Sequence, residues 1–215
     1  MITAKPVTKT LDKGDKSFTL SIPEMSFKEG VIYALIGANG SGKSTYGKLL
    51  LQELKPQAGY MAQKSYAFNM SVEKNIMVNS ANSIEDRQKC AYLMDKLKLA
   101  AIANRNAKAV SGGENARMAL ARIMMKDYRL LILDEPTAAM DQESTLASEH
   151  LIKEYCQKHK CSIILITHSL AQAKRLADEV IFIDNGRLIE MGPSEMLLGN
   201  PKKEETKRYI EFYGY

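Results

Sequence analysis

Gly37-Ala38-Asn39-Gly40-Ser41-Gly42-Lys43-Ser44-Thr45 decides the fold of this chain. It satisfies G-x-x-x-x-G-K-[ST] in full and stands in the context that pattern requires. An apolar run, Val31 to Ile36, leads into it, and a helical pattern, Lys43 to Leu54, leads out. Gly37, Gly40 and Gly42 let the backbone curl until successive N–H groups face an anion. The helix that begins there adds the positive end of its dipole. Lys43 can reach terminal phosphates as a point charge, Ser44 can offer its hydroxyl to Mg²⁺, and Thr45 can reach an inner phosphate.

Outward from that loop, the pattern alternates strand and helix. Phe18-Thr19-Leu20-Ser21-Ile22 alternates like a half-buried strand, and Glu29-Gly30 reads as a turn. Leu49, Leu50, Leu51 and Leu54 give the first helix an apolar face, and Tyr60-Met61-Ala62 is a short apolar piece stopping at Gln63. From residue 63 to 125 the pattern turns helical. It predicts a short helix after Ser71, a second from Ser83 to about Leu99, and a third opening at Ser111-Gly112-Gly113-Glu114. Leu130–Leu133 and Ser162–Thr167 read as fully buried strands, Gln142–His159 and Leu170–Leu176 as helices. Asn185-Gly186 marks a hairpin between Val180–Asp184 and Arg187–Met191. Helices over Pro193–Leu198 and about Glu204–Phe212, within a small terminal segment to Tyr215, close the chain. Such alternation implies a mainly parallel sheet covered on both faces, with ligands at the carboxyl ends of its strands.

The whole chain sets limits on function. Its 215 residues suffice for one domain with a sizeable core. Hydrophobic content of 45% with 26% charged residues places it among globular proteins rather than disordered ones. A net charge of +5 suits an anionic ligand or membrane surface but is too mild to argue for nucleic acid, and no basic run accompanies it. Cys90, Cys156 and Cys161 lack metal-ligand spacing and read as reduced thiols of a cytosolic protein. Residues 1–17 carry no signal-peptide core, and no apolar run approaches the ~18 residues of a membrane span.

Gly37, Asp134, Glu135 and His168 all follow predicted strands, so they converge on one edge of the sheet. Asp134 after four apolar residues is the Walker B pattern, a carboxylate placed to hold Mg²⁺ opposite Ser44. Glu135 is placed to activate a water for in-line attack on a γ-phosphate. His168 can hold that geometry, and Gln63 can touch Mg²⁺ or the water. Ser111-Gly112-Gly113-Glu114 makes a second anion site far from the first. One nucleotide cannot easily meet both within one chain; two chains paired head to tail resolve this.

In order, Gly37–Thr45, Gln63, Val110–Glu114, Leu130–Glu135, Ala139–Asp141 and Ile166–His168 resemble the ATP-binding cassette (ABC) ATPase family. The Ser-Gly-Gly signature separates that family from other P-loop proteins. The resemblance implies an α/β fold of the P-loop NTPase (RecA-like) type: a mainly parallel sheet with helices on both faces, a reduced antiparallel β subdomain and an inserted α-helical subdomain. Residues 1–62 and 126–215 would form the core and 63–125 the insert. It implies an Mg²⁺-dependent ATPase whose catalytic residues are Glu135, His168 and Gln63. Gly37, Asn39, Gly40, Ser41, Gly42, Lys43, Ser44 and Thr45 would bind ATP, with Ser44, Gln63 and Asp134 holding the metal. Ser111, Gly112, Gly113 and Glu114 would act on the partner's nucleotide in a homodimer, and Asp141 would couple the two sites.

The same resemblance implies partners. Lys64 to Phe68 would line a groove for separate transmembrane permease subunits. With them, and with a solute-binding protein, the chain would sit on the cytoplasmic face of the cell membrane and drive transport, by family habit import. Two alternatives stay open: a non-transport cassette acting in repair, translation or assembly, and a nucleotide-gated regulatory module. The chain departs from the family in having no aromatic residue in positions 1–17, leaving Leu11 or Phe18 to meet the adenine. It also has a short gap from Lys43 to Gln63, Val110 where Leu is usual and Glu114 where Gln is commonest.

Overall fold

The computed structural model describes residues 1–13 and 16–214, and Tyr215, at the end of the predicted terminal segment, lies outside them. The N-terminal strands are β1 (Ile2–Ala4), β2 (Val7–Lys13), β3 (Lys16–Ile22), β4 (Met25–Phe27) and β5 (Ile32–Ile36). Next come α1 (Lys43–Leu54), β6 (Ala58–Met61), α2 (Val72–Ile76), α3 (Ile84–Lys96) and α4 (Gly112–Met124). The remainder is β7 (Leu130–Asp134), α5 (Gln142–His159), β8 (Ser162–Ile166), α6 (Leu170–Leu176), β9 (Glu179–Asp184), β10 (Arg187–Pro193), α7 (Ser194–Gly199) and α8 (Glu204–Tyr213).

Eight strands form one sheet in the order β2-β3-β10-β9-β5-β8-β7-β6, and β1 and β4 pair separately. From β9 to β6 every pairing is parallel. The reason is visible in β7 and β8, which bury both faces. Leu131, Leu133, Ile163 and Leu165 pack on one side, Leu130, Ile132, Ile164 and Ile166 on the other. Beyond β9 the sheet is mixed: β9 and β10 pair antiparallel through a turn at Asn185 (φ 45°) and Gly186 (φ 76°), β10 meets β3 in parallel, and β3 meets β2 antiparallel. A Cβ on Gly186 would stand 2.2 Å from the Thr19 carbonyl oxygen, so only glycine lets this turn lie against β3.

The antiparallel part is larger at its N-terminal end than the sequence pattern suggests, because β1, β2 and β4 escape it. β1 and β4 are three residues each and exist through the pairing Ile2↔Phe27 to Ala4↔Met25. β2 has little apolar alternation and is held by its antiparallel register with β3. Between α1 and β6 only Lys55 to Gln57 intervene, with no hairpin. Helix α3 stops at Lys96 rather than near Leu99, because Lys98 adopts φ 54° and turns Leu97 and Leu99 into the core. Residues 63–125 hold helices and one isolated bridge, Ser71↔Asn106. Val72, Ile76, Leu93 and Met118 pack into the same apolar cluster as Leu133 and Leu165.

Candidate active site

Parallel register levels the strand ends that matter: Asp134 lies opposite Ile166 and Leu35 opposite Ile166. The loops after β5, β7 and β8 therefore open on one edge. Helix α1 starts there at Gly42 (φ 108°), with no side-chain cap and no acidic residue in its first turn. Helices α2 to α6 are each capped by their own Ser or Asp. The first-turn amides of α1 are thus left for an external anion. A Cβ on Gly42 would lie 2.8 Å from Leu20 Cδ1, and one on Gly37 would lie 2.1 Å from the Ile183 carbonyl oxygen. Neither position admits a side chain.

Lys43 folds back along the loop: its Nζ donates to the carbonyls of Gly37 (2.7 Å) and Ala38 (3.0 Å). Burial pushes the Lys43 ammonium below its ordinary value, and Glu135 and Asp134 pull it back up. These groups line a cavity of about 530 Å³ with Asn39, Gly40, Gly42, Ser44 and Thr45 on one wall. Gln63, Asp134, Glu135 and His168 stand on the other, and Leu11 and Phe18 close one end. Gly37 and Ser41 do not line this cavity; the Ser41 hydroxyl is buried with no hydrogen-bond partner among the described residues.

Glu135 adopts φ 49°, a strained turn for a side-chain-bearing residue. Its amide donates to the Ile166 carbonyl (2.9 Å), which fixes the turn against β8. Its Oε1 accepts the His168 backbone N–H at 2.9 Å and lies 2.7 Å from His168 Nδ1. Glu135 is 11% exposed and His168 61%, so the imidazole covers the carboxylate. No described residue donates to Glu135 Oε2. Asp134 is buried, and its Oδ2 accepts the Tyr60 hydroxyl at 2.6 Å. The sequence reading missed Tyr60, which sits 74 positions from its partner.

An Mg²⁺ ion suits this donor set. Ser44, Gln63 and Asp134 supply a hydroxyl, an amide carbonyl and one carboxylate, all hard oxygens, around a cavity with room for phosphates. No cluster of three His, Cys, Asp or Glu side chains is placed to hold a metal among the described residues.

The signature residues lie elsewhere and line no part of that cavity. Ser111 caps α4 with a capping box: its Oγ accepts the Glu114 N–H (3.2 Å), and Glu114 Oε2 accepts the Ser111 N–H (2.7 Å). Ser111 and Gly112 are exposed. A Cβ on Gly113 would lie 2.9 Å from the Ala139 carbonyl oxygen, so α4 presses on the loop before Asp141. Asp141 in turn caps α5 through the Ser144 N–H (2.8 Å), and Arg117 of α4 donates to the Ser144 hydroxyl. Asn115 donates to the Ser65 carbonyl (2.9 Å), joining α4 to the segment after Gln63.

Comparison with known proteins agrees with this geometry. The family model described as ABC transporter matches residues 20–138. The chain is 33% identical to the phosphate import ATP-binding protein PstB of Campylobacter jejuni, over 96% of this chain and 97% of that protein. It is 33% identical to the tungstate uptake system ATP-binding protein TupC of Peptoclostridium acidaminophilum, over 81% and 91%. Its fold matches a dimeric ATP-binding cassette in a post-hydrolysis state bound to ADP and Pi, with TM-score 0.78, 21% identity and coverage of 90% and 99%. It also matches a bacterial Atm1-family ABC exporter, with TM-score 0.83, 22% identity and coverage of 99% of this chain and 42% of that one.

The chain is a P-loop ATPase. It belongs to the ABC transporter family, as an ATP-binding subunit that powers transport. No helix among the described residues is long and apolar enough to cross a membrane.

Proposed function

We propose that this subunit hydrolyses ATP at the β5–β7–β8 edge in a head-to-tail homodimer and drives separate permease subunits. The reading rests on one observation: Glu135 and His168 share a hydrogen-bonded corner of the cavity that the glycine loop and Lys43 also line. In this reading the Gly37–Thr45 loop wraps the triphosphate with the backbone amides that follow Gly37, and Lys43 turns from its loop carbonyls to the terminal phosphates. Ser44, Gln63 and Asp134 hold Mg²⁺, which neutralises charge on the phosphate oxygens when bound.

Glu135 offers Oε2 to a water while His168 holds Oε1. The carboxylate takes one proton as the water oxygen attacks the γ-phosphorus in line, the bond to the bridging oxygen breaks, and ADP and phosphate result. Ser111, Gly112 and Gly113 of one copy contact the terminal phosphate on the other, with Glu114 holding the cap and Asp141 linking the two sites. Residues 63–125 act as an inserted helical subdomain on a core of 1–62 and 126–215.

That insert carries the surface suited to a permease. Tyr66 and Phe68 are exposed and pack edge to face at 5.1 Å, with the Arg122 guanidinium over the Phe68 ring at 5.2 Å. A helix from a membrane subunit fits there, holding the chain on the cytoplasmic face of the membrane. Relatives named for phosphate and tungstate share a tetrahedral oxyanion cargo, which supports import of a solute of that class, delivered by a solute-binding protein.

Glu135→Gln tests the reading by gel filtration with ATP and Mg²⁺. The variant elutes as a dimer while hydrolysis falls by ~10²–10⁴. A Glu135→Gln protein that stays monomeric at saturating ATP overturns it.

A further inference from the structure

We infer that Tyr209 is a positioning residue for the glycine loop, its phenol holding the first loop amide so that nucleotide affinity depends on the seating of α8. The inference rests on the reading that Gly37–Thr45 binds the nucleotide. The Gly37 N–H donates to Tyr209 Oη at 3.2 Å in a buried contact between residues 172 positions apart. Tyr209 itself is 7% exposed and lines no part of the nucleotide cavity, so it acts through Gly37.

Three contacts make that bond a constraint on the loop. On its other side Gly37 is pressed against the Ile183 carbonyl of β9, with φ 150°. The Tyr209 ring lies 4.9 Å from the neighbouring Phe182 ring and 4.7 Å from Tyr213, which fixes where the hydroxyl sits. The Gly37 carbonyl accepts Lys43 Nζ at 2.7 Å, so the residue whose amide Tyr209 holds also receives the phosphate-binding lysine. Burial raises the Tyr209 phenol to about 12, which keeps it protonated at neutral pH.

The helix that carries Tyr209 is seated from outside. Helix α8 has no cap of its own, and Glu190 of β10 accepts the Lys202 N–H at 2.9 Å and the Lys203 N–H at 3.1 Å. Thus β10 presents Glu190 to the start of the terminal segment and β9 presents Phe182 to the middle of α8, and the segment presents one hydroxyl to the loop.

Tyr209→Phe keeps the ring and removes the acceptor. Isothermal titration of the full chain with Mg·ATP should show affinity weakened at least about fivefold, because the nucleotide must then order a loop the phenol no longer holds. At saturating ATP, kcat should stay within about twofold, because the lost contact acts on binding. ATP affinity within about twofold of the parent, whatever the melting midpoint, overturns the inference. Hydrogen exchange in the parent protein gives a check that needs no variant. The Gly37 amide should exchange as slowly as the amides of β5, and exchange at the rate of open loop amides overturns the inference. Lys43→Ala separates the two readings: if it too leaves ATP affinity unchanged, the glycine loop is not the nucleotide site.

Discussion

Two helix starts in this molecule carry glycines after a loop, Gly42-Lys43 and Ser111-Gly112, yet they are built in opposite ways. The first has no cap, is enclosed by strands β5, β7 and β8, and opens into a cavity lined by residues from the length of the chain. The second pairs its Ser111 and Glu114 amides in a capping box and stands exposed. An uncapped, enclosed terminus is a binding site within one copy. A capped, exposed one has a finished local structure and a surface left to meet something else. On the proposed arrangement each is half of one site, completed by the second chain.

The comparison can be broken most sharply at Ser111. Ser111→Arg puts a long cation where the two copies would meet, so turnover should fall by at least about a hundredfold, the scale of losing a transition-state contact. ATP affinity of the single copy should stay the same by titration calorimetry. Retained turnover means that the second terminus does not face a nucleotide.

Adjacent glycines sharpen the picture at intermediate size. A methyl on Gly113 meets the Ala139 carbonyl at 2.9 Å, whereas one on Gly112 meets only Ala139 Cβ at 3.8 Å. Gly113→Ala should cost about 1–3 kcal/mol, as overpacking does, and lower the melting midpoint by roughly 2–12 °C. Gly112→Ala should leave the midpoint nearly unchanged. Equal midpoints for the two variants would show that α4 does not bear on the Asp141 loop.

The smallest effect concerns the cap itself. The Ser111 backbone N–H, then the Ser111 hydroxyl, holds the Glu114 carboxyl below its ordinary value of 4.5. A depressed carboxyl stabilises the fold above that value, and the gain is lost as pH falls through the lowered one. Glu114→Ala should therefore cost about 0.5 kcal/mol at neutral pH, with the gap to the parent closing below pH 4.5 in thermal melts. A gap that stays constant down to acid pH removes the ionised carboxylate from the cap.

How much of this was legible in the sequence follows from the range of each interaction. Helices α1, α5 and α6 match their patterns residue for residue, because periodicity and caps are local. The convergence of Gly37, Asp134, Glu135 and His168 on one edge was legible too, since parallel strands align their carboxyl ends, although Gly37 itself does not line the cavity that the other three do. Strands β1 and β4 were not, because three residues carry no period and the pairing depends on a partner more than twenty positions away. Tyr60 on Asp134 and Tyr209 on Gly37 were invisible for the same reason. Nothing local marks a tyrosine whose partner is set by the finished sheet.

Arg122 has a mechanical consequence. It donates from Nε and Nη2 to the Asn75 carbonyl and side chain, and from Nη1 to the Tyr66 carbonyl. Nearer the start of the same rod, Gly113 rests on Ala139 and Asn115 donates to Ser65. A load on Tyr66 must either snap that guanidinium's grip or tilt all of α4, about 20 Å of stiff helix at 1.5 Å per residue. The rod therefore works as a lever arm, with the aromatic surface at one end and the serine–glycine tip at the other.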